Sequence, residues 1–371
     1  MDMKKLFSLL CVAAMLIGLA AAPVRAEEAH GAPLKICIIS STGIDDGSFN
    51  EDCYVGIQAF LADHPDSAVT SIKEPDYAQL VPTVEQSAGD FDVFVLPGFN
   101  FAGIGDIALN NPDKYFMVVD STIQDSQGNP VSANNVYTMT FKEQESGFFA
   151  GVAAALSTST GKVAVVNGMP FPSNVNYEFG FNSGVNYTNA KYGTSVEYVE
   201  LPSYAGTDLG GNNVGGNYVG DFGDIAGGKE LGAALIDAGC DVIFVAAGEA
   251  GNGVFTAAKE AEGVYVIGCD VDQYADGAKG SGNIVLTSVL KGMHDNVAKQ
   301  LESICTGTFK GEDALLGVDT DSTGYVSEAG HQQLSDDALA KLAECYELMK
   351  AGEIVPASST EYTPDNFPGL N

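Results

Sequence analysis

The chain has 371 residues, with 17 lysine plus arginine against 49 aspartate plus glutamate and a formal net charge of −32 at pH 7. So acidic a chain is repelled by nucleic acid and by anionic membranes, which excludes those partners; solubility alone is reason enough for the charge. Apolar residues make up 45%, ordinary for a globular protein. Beyond the N-terminus no apolar run reaches the roughly 18 residues that a membrane span needs.

The chain opens with Lys4 and Lys5, an apolar run over 6–22, and Val24-Arg25-Ala26. This is the pattern of a secretory signal peptide over 1–26, cleaved after Ala26. Cys11 lies in the run, but Leu10 stands where lipoprotein processing wants a small residue, which argues against a lipid anchor. The remainder, about 345 residues, is expected in the periplasm or outside the cell and is long enough for two domains. It carries Cys37, Cys53, Cys240, Cys269, Cys305 and Cys345, with no CxxC spacing. Cys37, Cys240 and Cys269 fall in or beside apolar strands and read as small core filler. Cys305 and Cys345, on amphipathic helices, are the best candidates for a disulfide.

In chain order, strands are expected at 34–40, 91–96, 114–119, 136–141, 162–166, 195–199, 241–245, 264–268 and 284–289. Helices are expected at 52–62, 77–87, 143–156, 227–238, 252–260 and 293–304. Short β-rich apolar runs alternating with helical periods indicate βαβ units and parallel sheets, an α/β fold. Two stretches break the rhythm. Residues 206–220, rich in glycine and asparagine, read as a long flexible loop. Residues 315–328 read as a hairpin turning at Asp321-Ser322-Thr323-Gly324.

Catalytic signals are poor. His30, His64, His294 and His331 are scattered, and neither HExxH nor GxSxG occurs. Residues 157–162 look like a phosphate loop, but Leu156 takes the first glycine position and a strand follows, as in an ordinary helix-to-strand turn. Residues 319–324 look like the start of a calcium loop, but Gly330 stands where the closing carboxylate belongs. Asp45 and Asp46 point apart as neighbours do, and helix capping is their simpler role. No enzyme, metal or cofactor is expected.

More coherent is a set of groups at the carboxyl ends of expected strands, the edge where open α/β sheets bind ligands. After the first strand, a polar loop from Ser40 leads to Phe49 and Asn50. Gly98-Phe99, Asp120-Ser121, Gly248, Asp270 and Lys291 each follow another strand. Each could be a cap or turn residue. Together they offer a ring to stack on, a carboxylate able to accept from two hydroxyls, and a lysine donor. That is the chemistry for holding a nucleoside or a similar sugar-bearing heterocycle.

Several segments in order carry a resemblance: Ile44-Asp45-Asp46-Gly47-Ser48-Phe49-Asn50, Phe141-Lys142-Glu143-Gln144-Glu145, Tyr218-Val219-Gly220-Asp221-Phe222, Ala246-Ala247-Gly248 with Gly251-Asn252-Gly253, and Val266-Ile267-Gly268-Cys269-Asp270. Over about 35–356 the chain resembles the basic membrane protein family of ABC-transporter substrate-binding proteins, which are purine nucleoside receptor A-like. The resemblance implies a type I periplasmic-binding-protein fold, two parallel-sheet lobes joined by three crossovers with the ligand cleft between them. The lobes would be 34–140 plus about 288–315, and 141–287 plus about 316–371.

It further implies that Phe49 and Phe222 stack on a base, that Asp270 holds ribose with Lys291 assisting, and that Gly248 forms the turn beside them. Ser40, Asn50, Asp120 and Phe179 complete the expected ligand-binding set. Partners would be a nucleoside or nucleobase-like ligand and an ABC permease, with the binding protein a monomer. The alternative is a ligand-sensing periplasmic protein that reports to a membrane receptor. Three departures stand out. Ser40 takes the place of an aspartate that reads the purine edge in the family. The 206–220 loop is longer than the family's and is placed to act as a lid. Many members are lipoproteins, while this leader reads as cleaved.

Overall fold

A computed structural model describes residues 32–358. The leader at 1–26 and the tail at 359–371 lie outside the described residues.

The first sheet collects β1 (Lys35–Ser40), β2 (Ala68–Lys73), β3 (Val93–Pro97), β4 (Tyr115–Val119) and β5 (Val136–Phe141). The second collects β6 (Lys162–Asn167), β7 (Glu197–Tyr198), β10 (Val242–Ala246), β11 (Tyr265–Gly268) and β14 (Val285–Lys291). Two small hairpins, β8 (Gly206–Thr207) with β9 (Asn213–Gly215) and β12 (Ala278–Lys279) with β13 (Gly282–Asn283), lie outside both sheets. β15 (Glu312–Leu316) completes the first sheet and β16 (Thr323–Tyr325) the second. The orders are β15-β5-β4-β3-β1-β2 and β16-β14-β11-β10-β6-β7, parallel except for the β14–β16 pair. Interior strands such as β3 and β10 are buried along their whole length, as helix-covered parallel strands must be. β2 went unread because it is a half-exposed edge strand without an apolar run.

This is a type I periplasmic-binding-protein fold. Among the described residues the chain passes between the sheets three times: after β5, after β14 and between β15 and β16. The last passage corrects the expected hairpin at 315–328. β15 pairs in parallel with β5 in one lobe, while β16 pairs antiparallel with β14 in the other. The turn signal at Asp321–Gly324 is real, but it serves a crossover. β14 stays in the second sheet through Lys291, so the passage expected near 288 falls after Lys291.

The helices are α1 (Phe49–Asp63), α2 (Leu80–Ser87), α3 (Gly105–Asn110), α4 (Glu143–Ser157), α5 (Pro172–Tyr192), α6 (Ile225–Asp237), α7 (Gly251–Glu260), α8 (Met293–Cys305) and α9 (Asp336–Lys350). The sequence reading missed α5. It is buried on several sides and so carries no amphipathic stripe, the signal by which surface helices are found. It packs on α4 backbone to backbone. A Cβ at Gly147, Gly151, Gly180 or Gly184 would lie 2.3, 2.1, 2.2 or 2.2 Å from a carbonyl oxygen of the opposite helix.

The 206–220 segment is an ordered structure, not a flexible loop. Asp208 accepts from the backbone N–H and the side chain of Asn212, closing the β8–β9 turn. Val214, Asn217 and Tyr218 are buried, and the Tyr218 hydroxyl donates to Glu178 on α5 at 2.5 Å. The phosphate-loop lookalike has an internal guest: Thr158, Ser159 and Thr160 donate hydroxyl and backbone N–H groups to the Asp241 carboxylate. The calcium-like carboxylates are matched by lysines, Asp319 with Lys142 at 2.9 Å and Asp321 with Lys350 at 2.8 Å. Among the described residues no His, Cys, Asp and Glu cluster is arranged to hold a metal. The expected disulfide is also corrected. All six cysteines among the described residues are free; Cys305 packs with the first lobe's core and Cys345 is buried in the second's.

Gly151→Ala should destabilise the protein by about 3 kcal/mol, the upper range for overpacking, because the opposing atom is backbone and cannot move aside. Denaturant midpoints at unchanged m-value would measure this. Burial drives the Glu178 carboxyl up to about 8 from 4.5, against the Tyr218 hydrogen bond, which lowers it. The folded state therefore favours the protonated acid. That stability is fully present below 4.5 and is lost as pH rises through 8. Melting temperature should fall as pH rises from 4.5 to about 8 and level off above that, and Glu178→Gln should flatten the decline.

Candidate functional site

A cleft lies between the lobes, with about 670 Å³ of empty space counted together with its open mouth. Its walls come from the segments that follow β1, β3, β4, β6, β10 and β11 and from the last residue of β14. These are carboxyl ends of parallel strands, where main-chain polar groups open toward a ligand and no sheet partner competes.

The β1–α1 loop is built on two side chains that bind their own backbone. The Ser40 hydroxyl donates to the Gly43 carbonyl and accepts from the Gly43 N–H, at 3.0 and 3.1 Å. Ser40 thus closes the turn and does not line the cleft; Ser41 and Thr42 do. Asp46 accepts the backbone N–H groups of Ser48, Asn50 and Glu51, capping α1. Burial raises its pKa, and those N–H groups oppose the shift. The cap fixes the first turn of α1, which carries Phe49 and Asn50 into the cleft.

At the closed end sits a buried charge cluster. Lys291 Nζ lies 2.5 Å from Asp120 in the first lobe and 3.1 Å from Glu143 at the start of α4. It also stands 5.0 Å from the ring centroids of Phe49 and Phe141. Burial alone would discharge the lysine, but Asp120, Glu143 and Asp270 together hold its pKa above the ordinary value. Its partner Asp120 is also raised: burial disfavours its charge, and Lys291 only partly offsets that with Glu143 and Asp270 nearby. The lysine's shift follows from one cation facing three carboxylates, while that of Asp120 comes first from burial, with the neighbouring carboxylates adding to it.

Asp120 and Asp270 each end a strand in the left-handed region, at φ 64° and 70°. Aspartate tolerates this backbone better than most residues, and such conformations cluster at binding sites. The Ser48 and Tyr177 hydroxyls donate to Asp270, each at 2.9 Å. Gln273 Nε2 donates to the Gly47 carbonyl at 3.1 Å. The Ser48 and Gln273 bonds join the lobes across the cleft.

Phe99, Phe171 and Phe222 form the opposite wall, with centroids 5.6 Å apart for the first pair and 6.0 Å for the second. Gly168 lets Phe222 in, since a Cβ there would lie 2.2 Å from its ring. Of the expected set, Phe49, Asn50, Asp120, Phe222, Gly248, Asp270 and Lys291 meet in this cleft. Phe179 does not: it is buried with Val175, Val214, Tyr218 and Ala357, one helical step past the cleft-lining face of α5. Ser173, Asn174 and Tyr177 on that helix, and Phe171 before it, were missed along with α5 itself. An aromatic between two prolines at a strand end, Pro170-Phe171-Pro172, was the available signal.

A family model described as ABC transporter substrate-binding protein PnrA-like matches residues 34–203 and 212–354. The unmatched stretch falls in the β8–β9 hairpin. The CD4+ T-cell-stimulating antigen of Listeria monocytogenes is 30% identical over 341 residues, covering 86% of this chain and 87% of that protein. The ABC transporter nucleoside-binding protein BmpA of Lactococcus lactis is 29% identical over 298 residues, covering 75% and 77%. Among solved structures, an ABC-transporter solute-binding protein of Aeropyrum pernix K1 superposes with a TM-score of 0.74 at 22% identity, over 89% of this chain and 95% of that one. This chain belongs to the PnrA-like family of ABC transporter substrate-binding proteins, extracytoplasmic proteins that deliver a small-molecule ligand to a permease and are not enzymes.

Proposed function

We propose that the protein binds a nucleoside, stacking its base between Phe49 of the first lobe and the Phe222 wall of the second and holding its sugar with Asp270, Asp120 and Lys291. The observation that carries this reading is the pairing of aromatic surfaces from both lobes with a carboxylate-rich end in one cleft. A flat ring gains dispersion and apolar burial from the phenylalanines. Vicinal hydroxyls donate to carboxylates, and a lysine N–H serves a ring or hydroxyl oxygen. The relative from Lactococcus lactis named a nucleoside-binding protein supports the same ligand class. The protein acts as a monomer, released outside the membrane by cleavage after Ala26.

The lobes close on the ligand through the Ser48–Asp270 and Gln273–Gly47 bonds, which need both lobes in place. Domain closure around a ligand is the usual motion of such two-lobed proteins. Asp270 therefore serves the sugar and the closed state together.

A nucleoside at 100 times its dissociation constant should stabilise the protein by about 2.7 kcal/mol, read as a rise in melting temperature. No shift with any common nucleoside would sink the proposal. Phe49→Ala and Asp270→Ala should each weaken binding by about 2 kcal/mol or more, the range of hot-spot truncations, by calorimetric titration. Unchanged affinity in both variants would place the ligand elsewhere.

A further inference from the structure

The three passages between the lobes leave from β5, β14 and β15, which lie at or next to one edge of the two sheets. Contacts at the opposite edge are farthest from this hinge, so opening parts them most. Tyr77 stands there, just past β2. The Glu74 N–H donates to the Ser40 carbonyl and the Ala78 N–H to Asp76, each at 2.9 Å, which starts the turn Tyr77–Gln79. The Tyr77 ring packs on the first lobe's core, as Ile72 and Val81 do. Its hydroxyl interacts with the Ser41 side chain in its own lobe, and with the Asp221 carboxylate and the Phe222 backbone in the other. A phenol has one proton to donate and accepts through its oxygen. Asp221 takes the proton, while the Ser41 hydroxyl and the Phe222 N–H donate back. Burial, and then the Asp221 charge, push the Tyr77 pKa up, so the phenol keeps that proton.

In the second lobe this contact is pinned by the backbone. The Val219 and Gly220 N–H groups donate to the Asn167 and Gly168 carbonyls, at and just past the end of β6, at 2.9 and 2.8 Å. The Phe222 carbonyl accepts from the Ala250 N–H at 2.7 Å, and Asp221 Oδ1 accepts from the Gly223 N–H at 2.8 Å. The lobes meet closely here, since a Cβ on Gly223 would lie 3.5 Å from Thr42. Ser41, Thr42 and Phe222 line the cleft, and Tyr77 stands behind them. We propose that Tyr77 is a latch: its hydroxyl bond to Asp221 ties the lobes together at the edge far from the hinge, seats Phe222 and sets how long the ligand stays bound. Tyr77 is thus a positioning residue, acting through Phe222 and not on the ligand itself. The inference rests on the nucleoside reading above and adds to it the contact that governs release. A ligand enters the open form, in which the latch is already parted, so the latch acts on dissociation and not on association.

The test is stopped-flow kinetics on the refolded, ligand-free protein, using whichever of adenosine, guanosine, inosine, cytidine and uridine binds tightest by calorimetry. Tyr77→Phe keeps the ring and removes the hydroxyl. Dissociation should become about ten-fold faster, the scale of one hydrogen bond to a charged group, with association within about three-fold of the unsubstituted protein. Asp221→Ala should act in the same direction, and the double variant should be no faster than the faster single one, as two ends of one bond require. Melting of the ligand-free variants reports that they fold. Unchanged dissociation in Tyr77→Phe, or a double variant whose effect is the product of the two single effects, would overturn the latch and leave nucleoside binding standing. If none of the five compounds binds, the nucleoside reading falls, and amide hydrogen exchange decides the latch on its own. Tyr77→Phe should then speed exchange over 219–223, where Phe222 loses its acceptor, and unchanged exchange there would overturn the inference.

Discussion

The structure turns on Lys291, a lysine 2% exposed at the end of β14 and placed against carboxylates from both lobes. A charge so deep survives only if it is matched, and removing a partner from such a set costs far more than the pair contributes. Asp120 ends a strand of the first lobe, Asp270 ends one of the second, and Glu143 opens the helix that follows the first crossover. Satisfying one lysine therefore requires both lobes and the hinge in register. The same cluster leaves carboxylate in excess, which sets the polarity of the cleft it closes.

Around that cluster, the scaffold is made rigid by close backbone approach. The α4–α5 contact through Gly147, Gly151, Gly180 and Gly184 leaves no room for a side chain. It holds α5 so that Ser173, Asn174 and Tyr177 face the cleft while Phe179 goes into the core. Tyr177 reaches Asp270, and Asn174 reaches the end of β10. A helix with little freedom to slide is well suited to carrying groups that must meet a ligand within a few tenths of an ångström.

Much of the scaffold was legible. Buried parallel strands write themselves as short unbroken apolar runs, and the residues just past them, Phe49, Asp120, Gly248, Asp270 and Lys291, converge in the cleft. What failed has physical causes. α5 lacks a stripe because core surrounds it, β2 lacks a run because it is an edge, and the turn at Asp321–Gly324 looks alike in a hairpin and a crossover. The loop at 206–220 read as flexible because its order comes from a few anchors, Asn217, Tyr218 and Asp208, and not from a core of its own.

By itself the sequence determined the class of fold, the strands whose ends form the site, and the residues there able to stack and to accept. Those are local properties, set by hydrophobic period and side-chain chemistry. Only the tertiary structure decided which groups remain available. Ser40 is used up in its own turn, and Asp46 is used up as a cap. The amide hydrogens of Asn50 and Asn174 are used up on their neighbours. A hydrogen bond consumes a donor that composition still counts, so a site's selectivity is written in the groups left over.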